Sequence, residues 1–440
     1  MGILALFVQK YGGTSVGDLE RIRKVAERVG RTADEGHGVV VVVSAMAGET
    51  DKLVGMARAL SEFPNQREMD YLLSSGEGVT SSLLAIALSD RGHPGMSFTG
   101  LRAGIRTTGA HTSARIRTIA ADEIVAVLEK GAIPVVAGFQ GADDNRDVTT
   151  LGRGGSDLTA VALAAALHAD RCQIFTDVTG VFTADPRIVS DARKLPRVSY
   201  DEMLEMAGLG ANVLQARSVE FAKKFEVEVE VRSSFTDEEG TVVTREDEGM
   251  ERVVVSAVNC DRNQAQVTVE GIHDQPGIAG KLFGDLAESD VVVDMIVQNV
   301  GSHGAADISF TVPLESLALT ERIMENTRRE LGASAVRTND RIAKVSIVGI
   351  GMKSHSGIAA KMFRSLADIG TNILMISTSE ILVSCVVDAE CAESAVQTLH
   401  KVFELEKSVE VRAPLSSPPG NGEEGAESHG GPEGRPEGAS

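Results

Sequence analysis

Lys10-Tyr11-Gly12-Gly13-Thr14-Ser15 follows the apolar run Ile3–Val8 and opens onto a helical pattern. The run reads as a buried strand. Beyond the glycines, apolar residues recur at Val16, Leu19, Ile22, Val25, Ala26 and Val29, one face of a helix. Ser15 and Asp18 have the spacing of a capping box at its start. Glycines let backbone N–H groups approach an anion, and the positive end of a helix lies just behind them. Lys10 adds a cation where the strand ends. Strand, turn and helix therefore make a phosphate cradle, but not of the G-x-x-x-x-G-K-S/T kind. A purely structural glycine turn fits the same residues.

Working outward, Val39–Val43 is a second β-branched run, and it ends at Ser44-Ala45-Met46-Ala47-Gly48-Glu49-Thr50. A helical stretch near Met69–Leu73 leads into Ser74-Ser75-Gly76-Glu77, and Val79–Leu88 looks helical again. Ile133–Ala137 is a strand closed by Gly138-Phe139-Gln140-Gly141. Thr149-Thr150-Leu151-Gly152-Arg153-Gly154-Gly155-Ser156-Asp157 precedes an alanine-rich helix, Leu158–Leu167. The strand Cys172–Phe175 then runs into Thr176-Asp177-Val178-Thr179-Gly180-Val181-Phe182-Thr183-Ala184-Asp185-Pro186-Arg187. Strands alternating with helices, with polar and glycine clusters at the strands' C-terminal ends, predict a largely parallel α/β sheet. Such sheets bind ligands along that edge.

The second half changes character. Pro276–Ile296 recurs as Ser356–Ile376, with matches at Gly277/Gly357, Ile278/Ile358, Ala279/Ala359, Lys281/Lys361, Phe283/Phe363 and Leu286/Leu366. Each copy follows a strand (Ala265–Glu270; Ala343–Ile350) and precedes another (Ala306–Val312; Ile381–Val387). This predicts a small ferredoxin-like unit present twice. From Pro414 onward the chain is Gly, Pro, Ser and Glu, an acidic tail expected to be disordered.

Composition sets bounds. With 440 residues and 42% apolar content, two to four domains with real cores are expected. A net charge of −20 argues against nucleic acid or an anionic membrane as partner. No apolar run in the sequence approaches the ~20 residues that span a bilayer. The N-terminus lacks a signal-peptide pattern. Cys172, Cys260, Cys385 and Cys391 form no C-x-x-C pair and read as buried thiols in a reducing compartment. A cytoplasmic protein is the expectation, with no metal-ligand cluster.

Six segments, KYGGTSVG, VSAMAGETD, SSGE, GFQG, TTLGRGGSD and TDVTGVFTADPR, stand in one order and spacing that resembles the aspartate kinases. The segments DQPGIAGKLF and GMKSHSGIAAKMF, with Val297-Gln298-Asn299 and Ile376–Glu380, extend the likeness to the paired ACT units of that family. The resemblance implies a three-layer α/β/α amino-acid-kinase domain over residues 1–250. Two ferredoxin-like βαββαβ ACT domains, 262–335 and 340–413, would follow, with the tail at 414–440. It implies transfer of the γ-phosphate of ATP, with Mg²⁺, to the β-carboxylate of L-aspartate. The product would be 4-phospho-L-aspartate, the first step towards lysine, threonine and methionine. Two rivals share parts of the pattern: another amino-acid kinase, such as a glutamate or acetylglutamate kinase, and an effector-binding pseudokinase.

Residue types make chemical sense of the likeness. Phosphoryl transfer needs positioning and neutralisation of charge more than covalent help. Lys10 would meet the transferred phosphoryl, with the Gly12 and Gly13 amides on the phosphates, and Asp157 would orient Lys10. Arg153 would hold the substrate α-carboxylate as a planar fork, beside Gly154, Gly155 and Ser156. Glu77 would pair with the α-ammonium; a solvated loop glutamate is its rival. Ser44 and Thr50 would line the space between the substrates, or serve only as turn residues. Tyr11, Ser44, Thr176, Asp177, Phe182, Asp185 and Arg187 match nucleotide contacts of the family.

Effector sites are implied at the turns His273–Ile278 and Lys353–Ile358. The residues concerned are Asp274, Gly277, Ile278 and Ala279 in the first unit, and His355, Ser356, Gly357, Ile358, Asn372 and Ile373 in the second. Asp294, Gln298, Ser379 and Glu380 are candidate partners for an effector's ammonium or side chain. Lysine and threonine are the expected effectors; repeats that only dimerise are the alternative. Homo-oligomers through the ACT units are expected. Met250, after Glu246-Asp247-Glu248-Gly249, resembles the internal start from which actinobacterial-type relatives make a separate β subunit, giving α2β2. Departures from the family pattern are Asn212 for a lysine, Phe182 for a tyrosine, Ser356 for a proline and Leu382 for an arginine. Gly301 and Ala306 replace common polar residues.

Overall fold

Val- and Ile-rich runs without polar alternation must be covered on both faces, and the computed structural model covers them. It describes residues 4–210, 213–247, 253–300 and 305–407. Asn212, Met250, Gly301 and the tail from Pro414 lie outside the described residues. Eight strands lie side by side in the order Arg197–Ser199, Thr241–Thr244, Val229–Ser233, Arg171–Thr176, Leu6–Tyr11, Gly38–Val43, Ile133–Ala137, Gly95–Phe98. All neighbours are parallel except Val229–Ser233 against Thr241–Thr244. Along Gly38–Val43, Val40 and Val42 enter one core, while Val39, Val41 and Val43 enter the other. The helices Gly155–Leu167, Tyr200–Gly208 and Ala216–Phe225 cover the first face; Leu19–Asp34 and Gln66–Asp90 cover the second. The architecture is the three-layer α/β/α arrangement followed by two ACT units.

Local details correct the sequence expectations. The first strand is Leu6–Tyr11, so Lys10 and Tyr11 lie within it rather than after it. A 3-10 turn, Gly13–Val16, comes next, and the helix begins only at Leu19. Its N-cap is Asp18, which accepts from the Arg21 N–H at 2.8 Å. Ser15 is inside the 3-10 turn and bonds Ser234 instead, so no capping box forms there. Ser74–Glu77 does not interrupt a helix: Gln66–Asp90 is continuous. The Ser74, Ser75 and Thr80 hydroxyls donate back to carbonyls three or four residues earlier, which satisfies them without breaking the turn. Among described helices this one is long and apolar enough to cross a membrane by length and composition. Half of its apolar window is buried within the fold.

The ACT units differ in construction. The first has its own four strands in the order Ile296–Val300, Ala305–Pro313, Gln264–His273, Ala335–Asn339, with helices Ile278–Ala287 and Leu317–Leu331. The second orders Ala257–Asp261, Ile342–Val348, Leu382–Asp388, Met375–Thr378. Its fourth strand therefore comes from ahead of the first unit, antiparallel to Ile342–Val348, where a boundary at residue 340 had placed the second unit wholly after the first. Its core also takes in Ala184 and Val189 from the kinase half.

One carboxylate fastens the halves. Glu202 is buried in the Tyr200–Gly208 helix, and its Oε2 accepts from the Ser199 N–H and hydroxyl, forming a capping box. Its Oε1 accepts from the Ser256 hydroxyl at 2.5 Å and from the Ile350 N–H at 3.2 Å. Ile350 opens the turn that leads to His355–Ile358. Nearby, the Thr183 carbonyl accepts from the Val258 N–H at 2.8 Å, and its hydroxyl bonds His400 Nε2 at 2.9 Å.

Candidate active site

The Leu6–Tyr11 strand lies between Gly38–Val43 and Arg171–Thr176, so its end meets the loops of both neighbours. Lys10 is buried there, with Nζ 2.5 Å from Asp157 Oδ1. Asp157 comes from the first turn of Gly155–Leu167, packed across the same strand. Gly13 has no room for a side chain: a Cβ would stand 2.9 Å from the Ala45 carbonyl oxygen. The Gly12 N–H is bonded to the Phe175 carbonyl at 3.2 Å, which corrects the expectation that it faces a phosphate. The open donors are those at the start of the Gly13–Val16 turn, which have no intrahelical acceptor.

A cavity of about 430 Å³ begins at Lys10 and is lined by Gly12, Gly13, Asp157, Thr176 and Asp177. A second, of about 680 Å³, is lined by Phe182, Asp185 and Arg187. Asp177 and Val213 line both, so the two adjoin. Within the second, Arg187 and Asp185 are bonded to each other at 2.7–3.1 Å. That pairing holds the Asp185 carboxyl below its usual range. Tyr11 is a correction: it is fully buried, stacks on Phe175 at 4.7 Å and donates to Gln9 Oε1, so its ring belongs to the core.

The acceptor-side residues stand outside the lining of the first cavity, on the elements that flank Lys10 and Asp157: Ser156 adjoins Asp157, and Ser44 follows the strand paired with Leu6–Tyr11. Glu77 is buried in mid-helix, not in a solvated loop. Its Oε1 accepts from the Ala45 N–H at 3.2 Å, and its Oε2 is buried without a partner. Burial pushes its carboxyl up to about 7. Gly76 makes the approach possible, since a Cβ there would stand 2.8 Å from that of Ala45. Arg153 is exposed and makes no hydrogen bond or ion pair with the described residues. Its loop needs Gly154, at φ 72°, where a Cβ would meet Gln215 at 1.8 Å. Ser156 is buried one residue inside the helix and does not cap it; Gly154 holds the N-cap position. Gly138 approaches Ser156 closely. Ser44 is half-buried with its N–H on the Tyr11 carbonyl, and Thr50 is exposed in the first turn of Glu49–Leu60.

Sequence reading missed the supports of this loop. Asp70 is fully buried and accepts from the Thr150 hydroxyl at 2.5 Å and the Thr112 N–H at 3.0 Å, with His111 Nδ1 at 2.7 Å. Arg217 donates to the Leu151 and Ala114 carbonyls at 2.5 and 3.1 Å. No local signal singled out Asp70, which shares the buried face of its helix with Ser74, Glu77, Thr80 and Ser81.

In the ACT units, Gly277 and Gly357 cap their helices at φ 100° and 90°. Asp274, Ala279, Gln298, His355, Ser356, Asn372, Ser379 and Glu380 are exposed around these turns or on the edge strands, while Ile278 is buried and Ile358 and Ile373 are half-buried. Asp294 is not free for an effector: it forms an ion pair with Lys344, which is buried in the second unit. Leu382 is half-buried and Ala306 buried.

A parallel sheet with a lysine–aspartate pair at the C-terminal ends of its strands, followed by ACT units, defines an amino acid kinase that carries ACT domains. The amino acid kinase family model matches residues 5–233, and an ACT domain model matches 345–403. An aspartate kinase of Pseudomonas fluorescens (strain SBW25) is 50% identical over 406 residues, 92% of this chain and 98% of the relative. E. coli aspartokinase III in complex with aspartate and ADP (R-state) is 28% identical, with a TM-score of 0.76 over 90% of this chain and 99% of that one. The same enzyme with lysine and aspartate (T-state) gives 0.74 at 28% identity, again covering 90% and 99%. The chain belongs to the amino acid kinase family and, within it, to the aspartate kinases, which are ATP-dependent.

Proposed function

We propose that this chain transfers the γ-phosphate of ATP to the β-carboxylate of L-aspartate, giving 4-phospho-L-aspartate for lysine, threonine and methionine synthesis in the cytoplasm. The observation that carries this reading is the buried Lys10–Asp157 pair at the head of two adjoining cavities. Asp157 fixes the Lys10 ammonium where charge develops on the transferred group, and the Gly13–Val16 turn offers N–H donors to the same oxygens. The β-carboxylate is ionised at neutral pH, so no general base is needed. Arg153 grips the α-carboxylate, and Glu77, ionised by the approach of an ammonium, takes the α-amino group.

Asp157 and Asp177 both line the first cavity, and one or two carboxylates plus substrate phosphates suit Mg²⁺. When bound, that ion would neutralise phosphate charge.

The kinase domain is taken as 1–250 and the ACT units as 262–335 and 340–413, the second completed by the strand Ala257–Asp261. The exposed turns at Gly277 and Gly357 support binding of lysine and threonine there, and the lysine-bound E. coli neighbour adds to that reading. Exposed Ile296, Val300 and Ile376 on the edge strands support homo-oligomers through the ACT units. A β subunit starting at Met250, in an α2β2 enzyme, remains the proposal for the internal start.

A coupled ADP-release assay with ATP, Mg²⁺ and aspartate, against glutamate, tests the activity. Release with aspartate alone is expected. No release, or equal release with glutamate, overturns the reading; unchanged rates under saturating lysine plus threonine remove the regulation.

A further inference from the structure

The larger cavity has a wall that does not belong to the kinase half. Facing the loop of Phe182 and Asp185 are Val258, Asn259 and Cys260, from the strand that completes the second ACT sheet. Side chains alternate along that strand: Ala257 packs into the kinase core and Val258 into the ACT core. Asn259 therefore turns to the kinase side. Its Oδ1 is buried and has no hydrogen-bond partner. Buried acceptors are almost always satisfied, so one left open beside a ligand-sized cavity awaits a donor. The charged groups across the cavity, Asp185 and Arg187, are already bonded to each other. The strand is also pinned to the nucleotide loop, through Val258 N–H to the Thr183 carbonyl.

We propose that Asn259 reads the base of the nucleotide, its Oδ1 accepting a hydrogen bond from the exocyclic amino group of adenine. This deepens the reading above, that ATP is the phosphoryl donor, and rests on it. A ligand whose phosphates lie at Lys10 reaches the second cavity past Asp177 and Val213, which line both. A 6-oxo purine would set its own acceptor against Oδ1, and a purine with hydrogen at position 6 would leave Oδ1 bare. Because Asn259 is part of the ACT sheet, bound nucleotide touches the regulatory half directly.

The test compares ATP, purine riboside triphosphate and inosine triphosphate on the full-length chain, by turnover and by calorimetric binding. ATP is expected to bind about three- to tenfold tighter than purine riboside triphosphate, the worth of one hydrogen bond, and tighter still than inosine triphosphate. Asn259→Leu is expected to weaken ATP by that factor, leaving purine riboside triphosphate and the KM for aspartate within about twofold. Equal binding of all three by the natural chain overturns the proposal, as does an equal loss for all three in the variant. The analogue series needs no variant to fold. Discrimination in binding without any turnover would sink the phosphoryl-transfer reading and leave this one standing.

Discussion

The two ACT units share a sequence pattern but not a neighbourhood. The first fills its core with residues between Ala265 and Val336 alone. The second borrows a strand from before the first, takes Ala184 and Val189 of the kinase half into its core, and has its turn held by Glu202. A ligand at the second turn would pull on the helix that leads to Leu209 and Gly210, which line the larger cavity. A ligand on the first would reach that helix chiefly by way of the second. The link there is the Asp294–Lys344 pair and a shared apolar cluster around Met295, Ile342 and Met375. Likeness in sequence does not make the units equivalent as levers.

The largest expected break is Glu202→Ala. It strips the acceptor from the Ser199, Ser256 and Ile350 donors at once and should cost on the order of 3 kcal/mol or more in thermal unfolding. The matching loss inside the first unit, Asp285→Ala, removes a half-exposed pair with Lys281 and a bond from Thr327. It should stay within about 1 kcal/mol. Equal losses would erase the asymmetry.

Next comes Asp294→Asn, which strands the buried Lys344 cation and should cost on the order of 2–3 kcal/mol. Lys344→Met, which frees Asp294 to water, should cost far less by the same melting assay. If the two variants behave alike, the pair is not the link between units.

Glu77, remote from the ACT junction, sharpens the comparison from the other side. Burial raises its carboxyl from about 4.5 to about 7, so the folded chain keeps a proton that the unfolded chain sheds across that window. Stability should fall as pH rises through it. The KM for aspartate should fall over the same window as Glu77 ionises. Glu77→Gln should flatten both profiles and raise that KM about tenfold at alkaline pH. Its response to lysine and threonine should not change.

The smallest effect is expected for His400→Leu: about 1 kcal/mol, with a two- to threefold rise in the KM for ATP alone. Burial lowers the imidazole's proton affinity, so the stability it lends is present above its ordinary pKa and lost as pH falls. Denaturant midpoints at acid and neutral pH measure this.

What the sequence told and withheld follows from the range of each interaction. Runs such as Val39–Val43 and the glycine clusters after them are local signals, and sheet and loops could be read from them. Nothing local says that one oxygen of Glu202 caps its own helix at Ser199 while the other reaches Ile350. Ala257–Asp261 is too short and mixed to declare its sheet. Its partner strand lies beyond an entire ACT unit, so only the fold reveals the pairing. Tyr11 looked like part of the phosphate turn because the strand end was placed three residues early; inside the strand, its ring turns into the core. Asp70 could be seen only once the helix and the Thr150 loop were brought together.

The pairing of Asp261 with Lys344 makes the first ACT unit the contents of a single hairpin loop. Cutting out that loop and closing it with a tight Asn-Gly turn would leave every strand of the second sheet in place. The shortened chain should still fold and phosphorylate, as a one-sensor enzyme whose remaining input goes straight to the nucleotide. Conversely, a separately made regulatory fragment would need to begin before Ala257 to close its own sheet, and a start at Met250 does so.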